Sequence, residues 1–239
     1  DIPWDPASLQ SDEKIIYGED DRQDVYQVTD PQHLQWAAST CALVDVDDLT
    51  LNPNGTYFLQ TYAWSYSGIT ACPSEAFGDQ PVAAFCSGFM VGPDLIATAG
   101  HCIEDEIDLS ATRFVFGFGM QDASTPVTLF PADQVYTGIE IVGRELTWTN
   151  DYAVIRVDRP ITAQGAVPFE IRRDGVVPSG ENVGVIGHPY GLPMKVAFGD
   201  NTEVKDNTPE YYFTANLDAA GGNSGSPVIN ADTGVVEGI

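Results

Sequence analysis

Basic residues are scarce in this chain: 10 Lys and Arg stand against 35 Asp and Glu in 239 residues, a formal net charge of −25. A surface so acidic repels nucleic acid and anionic membranes, which argues against both as partners. Its ordinary consequence is a well-solvated skin. No apolar run approaches the ~20 residues that a membrane-spanning helix needs. The opening "DIPWDPASLQ" lacks the basic start and apolar stretch of a signal peptide. Histidine is rare too, with only His33, His101 and His188. The four cysteines, Cys41, Cys72, Cys86 and Cys102, never fall at C-x-x-C spacing, so zinc or dithiol redox chemistry is weakly indicated. Two disulfides made in an oxidising compartment suit them better, and sequence alone permits three connectivities.

Helical periodicity is equally scarce, and no internal repeat or low-complexity linker is present. In "TDPQHLQWAAS", Asp30 is positioned to cap a helix whose first residue is Pro31. Elsewhere short β-like runs alternate with Gly, Pro, Asn and Asp: "FCSGFMV", "DLIATAG", "RFVFGFGM", "DYAVIRVD", "NVGVIGHP", "YYFTANLD", "SPVIN" and "GVVEGI". Hydrophobic residues make up 43% of the chain, enough for a sizeable core. The reading is all-β, a sandwich or barrels. "RPITAQGAVP", with two prolines and a glycine, suits a crossing between two β units. Segments 1–14 and 44–80 read as loops. "EDEID", residues 104–108, offers oxygen ligands to calcium but lacks an EF-hand's spacing, so a solvated acidic run is the better reading.

A serine hydroxyl becomes a useful nucleophile only beside a neutral imidazole that a carboxylate orients. His101, in "IATAGHC", ends a strand-like run beside a cysteine; His33 sits in the expected helix, and His188, in the turn "IGHPYG", is the rival base. Asp151 opens an apolar strand, where it serves either as a strand-start turn residue or as the orienting carboxylate. Ser224 is framed by glycines in "GGNSGSPV". A positive φ at Gly222 would let the N–H groups of Gly222 and Ser224 point at one oxygen, stabilising a tetrahedral oxyanion.

"FCSGFMVGPDLIATAGHC", "DYAVIRVD" and "GGNSGSP", in the order His, Asp, Ser, resemble the signature segments of the chymotrypsin/trypsin-like serine proteases. The resemblance implies two antiparallel six-stranded β-barrels with the active site between them: residues 15–158 as the first barrel, 159–168 as the crossing and 169–239 as the second. It implies His101 as general base, Asp151 as orienting acid, Ser224 as nucleophile, and Gly222 and Ser224 as the oxyanion hole. It pairs Cys86 with Cys102 as a brace of the histidine loop, and Cys41 with Cys72 is expected as the second disulfide. No cofactor and no catalytic metal are implied. The protein is expected to be a secreted monomer acting on proteins or peptides.

Asn223 replaces the aspartate that, in the animal digestive enzymes, receives a newly made N-terminal ammonium. "GNSGSP" and "IIYGEDDR" resemble the secreted bacterial glutamyl-endopeptidase-like branch, whose mature chains begin shortly before an Asp-Arg pair, here Asp21-Arg22. Residues 1–14 then read as a propeptide cleaved after Lys14, or as an N-terminal arm. Asp218 occupies the position that, by the resemblance, lies at the base of the primary specificity pocket, so a Lys or Arg preference at the cleaved bond is expected. Ala219 stands where glutamyl-specific relatives carry threonine. Only 15 residues follow Ser224, so the second barrel is expected to be incomplete at the C-terminus. A binding protein on the same fold and an esterase using the same triad are the alternative functions.

Overall fold

Period-two alternation is clearest in Asp151–Val157, where Ala153, Ile155 and Val157 are buried while Tyr152, Val154 and Arg156 lie toward solvent. The computed structural model describes residues 16–66, 69–70 and 75–239. Its principal elements, in chain order, are β1 (Arg22–Asp24), α1 (Pro31–Ala38), β2 (Thr40–Asp45), β3 (Cys86–Gly92), β4 (Leu95–Thr98), α2 (Glu106–Ala111), β5 (Thr112–Phe116), β6 (Val135–Leu146), β7 (Asp151–Val157), β8 (Val183–Gly187), β9 (Lys195–Ala197), β10 (Val228–Asn230) and β11 (Val236–Gly238).

Six of these strands close into a barrel in the order β2-β3-β4-β7-β6-β5, all pairs antiparallel. Closure leaves no free sheet edge. The interior is filled by Leu43, Ile96, Phe114, Tyr136 and Ile155, each fully buried. Burial of such side chains, at ~1.5–3 kcal/mol each, is the main favourable term holding the barrel. Two register shifts bend the long strand β6. At Gly138 that strand has no side chain, which lets Leu109 of α2 pack directly on it; a Cβ there would lie 2.2 Å from the leucine.

The second unit is an open antiparallel sheet of five strands, β1-β9-β8-β10-β11. Ile186, Val196, Ile229 and Val236 form its core together with Trp36 of α1 and Phe89 of β3, so the two units share a packed seam. The mostly-β architecture with one closed six-stranded barrel follows the expectation. Its boundaries do not follow it throughout. β1 lies within the stretch assigned to the first barrel, yet it pairs with β9 in the second sheet. The 44–80 segment carries short pairings, Leu49–Leu51 with Tyr57–Leu59 and Tyr62–Ala63 with Pro81–Val82. In "YYFTANLD" only Thr214–Ala215 is strand.

Asp30 caps α1 as expected, accepting from the Gln32 N–H at 2.7 Å. The acidic run 104–108 is largely exposed, as expected, and also opens α2: Asp105 accepts from the N–H groups of Ile107 at 2.7 Å and Asp108 at 3.1 Å. Its carboxylate caps a helix, and the one on Asp108 accepts from the Glu104 N–H at 2.9 Å.

Cys86 and Cys102 are bonded to each other. The expected pairing of Cys41 is corrected, because Cys41 is a free thiol. The β2 register sets it opposite Gly88 and Phe116, and it packs in the sealed barrel core as a small hydrophobe. Burial pushes its thiol pKa well above the ordinary range, so it stays protonated. Cys72, Lys14 and Ile15 lie outside the described residues, and with them the second disulfide partner and the expected processing site.

Candidate active site

The pairing of β4 with β7 places the first two candidate residues together. Thr98 lies opposite Ala153, so continuing the antiparallel register by two residues sets Gly100 opposite Asp151 and His101 beside it. Close approach here depends on Gly100, where a Cβ would sit 2.5 Å from the Glu145 carbonyl oxygen and 3.0 Å from that of Tyr152. Both oxygens of Asp151 serve His101. Oδ2 lies 2.6 Å from the ring Nδ1, and Oδ1 accepts the His101 backbone N–H at 2.9 Å. A carboxylate at Nδ1 holds the ring proton on that nitrogen and leaves Nε2 with the free lone pair. The side chains are 45% and 40% exposed, so both remain in contact with water. Arg144, which the sequence did not single out, donates from Nε to the Gly100 carbonyl at 2.8 Å and fixes the turn leading into His101.

Ser224 lies on the loop before β10 and lines one cleft of about 310 Å³ with His101 and Asp151. Leu217, Ala219 and Val228 supply its apolar wall. A larger cleft of about 840 Å³ adjoins it, sharing Asp151, Ala219 and Val228 and adding Tyr152, Tyr211 and Tyr212. Glycine is required on both sides of the serine. Gly222 has φ +97° and a Cβ would meet the His188 carbonyl oxygen at 2.4 Å; Gly225 has φ +82° and a Cβ would lie 2.2 Å from the Ser87 carbonyl oxygen. Among the described residues, no acceptor takes the N–H of Gly222 or of Ser224.

Asp218 does not join this constellation. It is 3% exposed, is absent from the residues lining either cleft, and accepts the backbone N–H groups of Tyr17 and Asp21 on its two oxygens, both at 2.8 Å. Those bonds make it a tether for the N-terminal segment and leave no bare carboxylate for a substrate cation. Ala219, its neighbour, does line the cleft.

The other two histidines, His33 and the rival base His188, are held elsewhere. His33 stacks on Phe198 with ring centroids 4.1 Å apart. His188 is fully buried, stacks on Phe118, and places Nδ1 2.9 Å from the Leu192 carbonyl. Burial pulls its pKa down to about 4, with a smaller push from the nearby Lys195 ammonium. The folded state therefore favours neutral His188, so this contribution to stability is whole above pH 6.5 and is lost as the pH falls through 4. The stake is roughly 3 kcal/mol. Urea unfolding at pH 7 and pH 4 should show a flatter stability slope in His188→Gln than in the wild type. Equal slopes would remove His188 from the acid response.

A sequence model of the trypsin-like peptidase domain matches residues 86–239. The chain belongs to the trypsin-like peptidase family. Relatives in sequence include the secreted RxLR effector protein 73 of Plasmopara viticola, 31% identical over 64% of this chain and 40% of that protein. Brachyurin of Leptuca pugilator is 28% identical over 58% of each chain. The chain thus spans about half the length of the curated relatives it matches. Among solved structures, the trypsin-like fold here resembles a serine endoprotease from Yersinia pestis (TM-score 0.52, 16% identity, 87% of this chain and 55% of that one). It also resembles a Glu endopeptidase (TM-score 0.52, 17% identity, 93% and 85%) and the human heparin binding protein (TM-score 0.56, 12% identity, 91% and 82%).

Proposed function

We propose that this trypsin-like peptidase is a secreted serine endopeptidase that works through an acyl-enzyme on Ser224. The carrying observation is the His101 Nδ1 to Asp151 contact of 2.6 Å in the same cleft as Ser224. With its Nδ1 proton held by Asp151, His101 takes the Ser224 Oγ proton at Nε2 while Oγ attacks the substrate carbonyl. The N–H groups of Gly222 and Ser224 receive the oxyanion. The imidazolium, stabilised by Asp151, then gives its proton to the leaving amine. Water repeats the sequence to release the acid. The adjoining cleft, lined by tyrosines, supports an extended peptide as substrate.

Secretion is supported by the Cys86–Cys102 disulfide and by a relative described as secreted. Asn223 and "GNSGSP" favour the bacterial branch named above, while Ala219 speaks against glutamyl specificity within it. The Lys or Arg preference loses its carrier with Asp218 engaged by backbone N–H groups; Leu217, Ala219 and Val228 favour an uncharged side chain at that position. Heparin binding, named for the human structural neighbour, is opposed by the net charge of −25.

A fluorophosphonate probe on the native full chain tests the reading. The expected result is one adduct on Ser224, found by peptide mass spectrometry and absent in His101→Ala. A native chain with no adduct would leave a binding protein as the better account.

A further inference from the structure

Every carbonyl of the loop Gly221–Ser224 is tied on the side away from its free N–H groups. Gly221 accepts from Tyr190 N–H, and Asn223 accepts from Ser226 N–H at 2.7 Å. The other two both belong to Ser87 of β3. Its hydroxyl donates to the Gly222 carbonyl at 2.9 Å, and its backbone N–H donates to the Ser224 carbonyl at 2.8 Å.

In a planar trans peptide the C=O and the following N–H point in opposite directions. Tyr190 therefore fixes where the Gly222 N–H points, and the Ser226 bond to Asn223 does the same for the Ser224 N–H. Ser87 sets the tilt of the peptide between them and of the one beyond. Tyr190 holds its place at φ 56°, a left-handed conformation that costs a non-glycine residue ~1–2 kcal/mol.

Ser87 is itself built into place. It is fully buried, its hydroxyl accepts the His188 N–H at 3.0 Å while donating to Gly222, and its carbonyl accepts from the buried Thr98 hydroxyl at 2.8 Å. Gly187 leaves it room: a Cβ there would come within 2.9 Å of the Ser87 oxygen. One hydroxyl thus links the closed barrel, the end of β8 and the nucleophile loop.

We propose that Ser87 is a positioning residue for the oxyanion-binding loop, its hydroxyl holding the Gly222–Asn223 peptide so that the N–H groups of Gly222 and Ser224 converge. The proposal rests on the serine-peptidase reading and adds a residue to it. Removing the hydroxyl leaves the buried His188 N–H and the half-buried Gly222 carbonyl without this partner, and the loop relaxes.

The test compares full-chain wild type, Ser87→Ala, and the isosteric pair Ser87→Thr and Ser87→Val. Ser87→Ala is expected to lower kcat about 10- to 100-fold with KM nearly unchanged, and to weaken a peptide boronic acid, which forms a tetrahedral adduct, in proportion. Affinity for the product peptide that carries the new amino terminus should stay within about two-fold, because that half places no carboxylate or tetrahedral oxygen at the oxyanion site. Should Ser87→Ala not fold, the isosteric pair decides, with Thr expected to exceed Val by about ten-fold in kcat. Equal kcat in Thr and Val, or Ser87→Ala at wild-type kcat, overturns the proposal. A wild type that neither turns over peptide nor labels at Ser224 overturns the underlying reading instead.

Discussion

Ser224→Ala is expected to lower kcat/KM on a peptide substrate by about 10⁴-fold or more while leaving KM and thermal stability close to wild type. The alanine keeps the backbone donors and the cleft, so substrate still binds. What disappears is the only route to the acyl-enzyme, and residual hydrolysis must proceed by direct attack of water. His101→Ala should cost as much, and the double variant little more, because a nucleophile without its base is idle. Steady-state kinetics on the three variants checks this. Additive losses, or a single loss under ten-fold, would mean that Ser224 and His101 do not act as a unit.

Asp151→Asn should reduce kcat by about 10⁴-fold through the proton alone. The amide oxygen can keep the bond from the His101 backbone N–H, so the loop stays where it is. The amide NH₂ then faces Nδ1, which must become an acceptor. The imidazole proton moves to Nε2, where it blocks the nitrogen that has to receive the Ser224 proton. Kinetics and thermal unfolding, measured together, separate this from collapse of the loop. Activity within ten-fold of wild type would make Asp151 a strand-start residue only.

How legible all this was depended on whether a feature is encoded by neighbours in sequence. "TAGHC" and "GGNSGSP" announce a histidine and a serine because glycines and a cysteine crowd around them, and the structure puts both side chains at one cleft. Asp30 and Pro31 announce α1 by local capping chemistry. The fate of Asp218 could not be read that way, since its partners Tyr17 and Asp21 lie about 200 residues earlier in the chain. β1 is three residues long, too short for any alternation, and belongs to the second sheet only because β9 accepts it. In α2 the acidic residues masked a helix start because the same carboxylates suit a solvated run or a cap. The inward turn of Cys41 follows from strand register, which single-residue spacing does not reveal. Ser87 lies inside the strand-like run "FCSGFMV", where its one local signal is a small polar residue between Cys86 and Gly88.

The proposed reacting groups hang from different sheets: His101 and Asp151 on the closed barrel, Ser224 on the loop that feeds the open one. Across that junction the loop is seated on the barrel by the two Ser87 hydrogen bonds to the Gly222 and Ser224 carbonyls, which can loosen while each sheet keeps its own ladder. An offset of about 1 Å between attacking atom and base costs on the order of 10²-fold in rate. On the proposed function, turnover is therefore a vernier on how the two halves are seated, expected to dim at denaturant concentrations where spectroscopy still finds both of them whole.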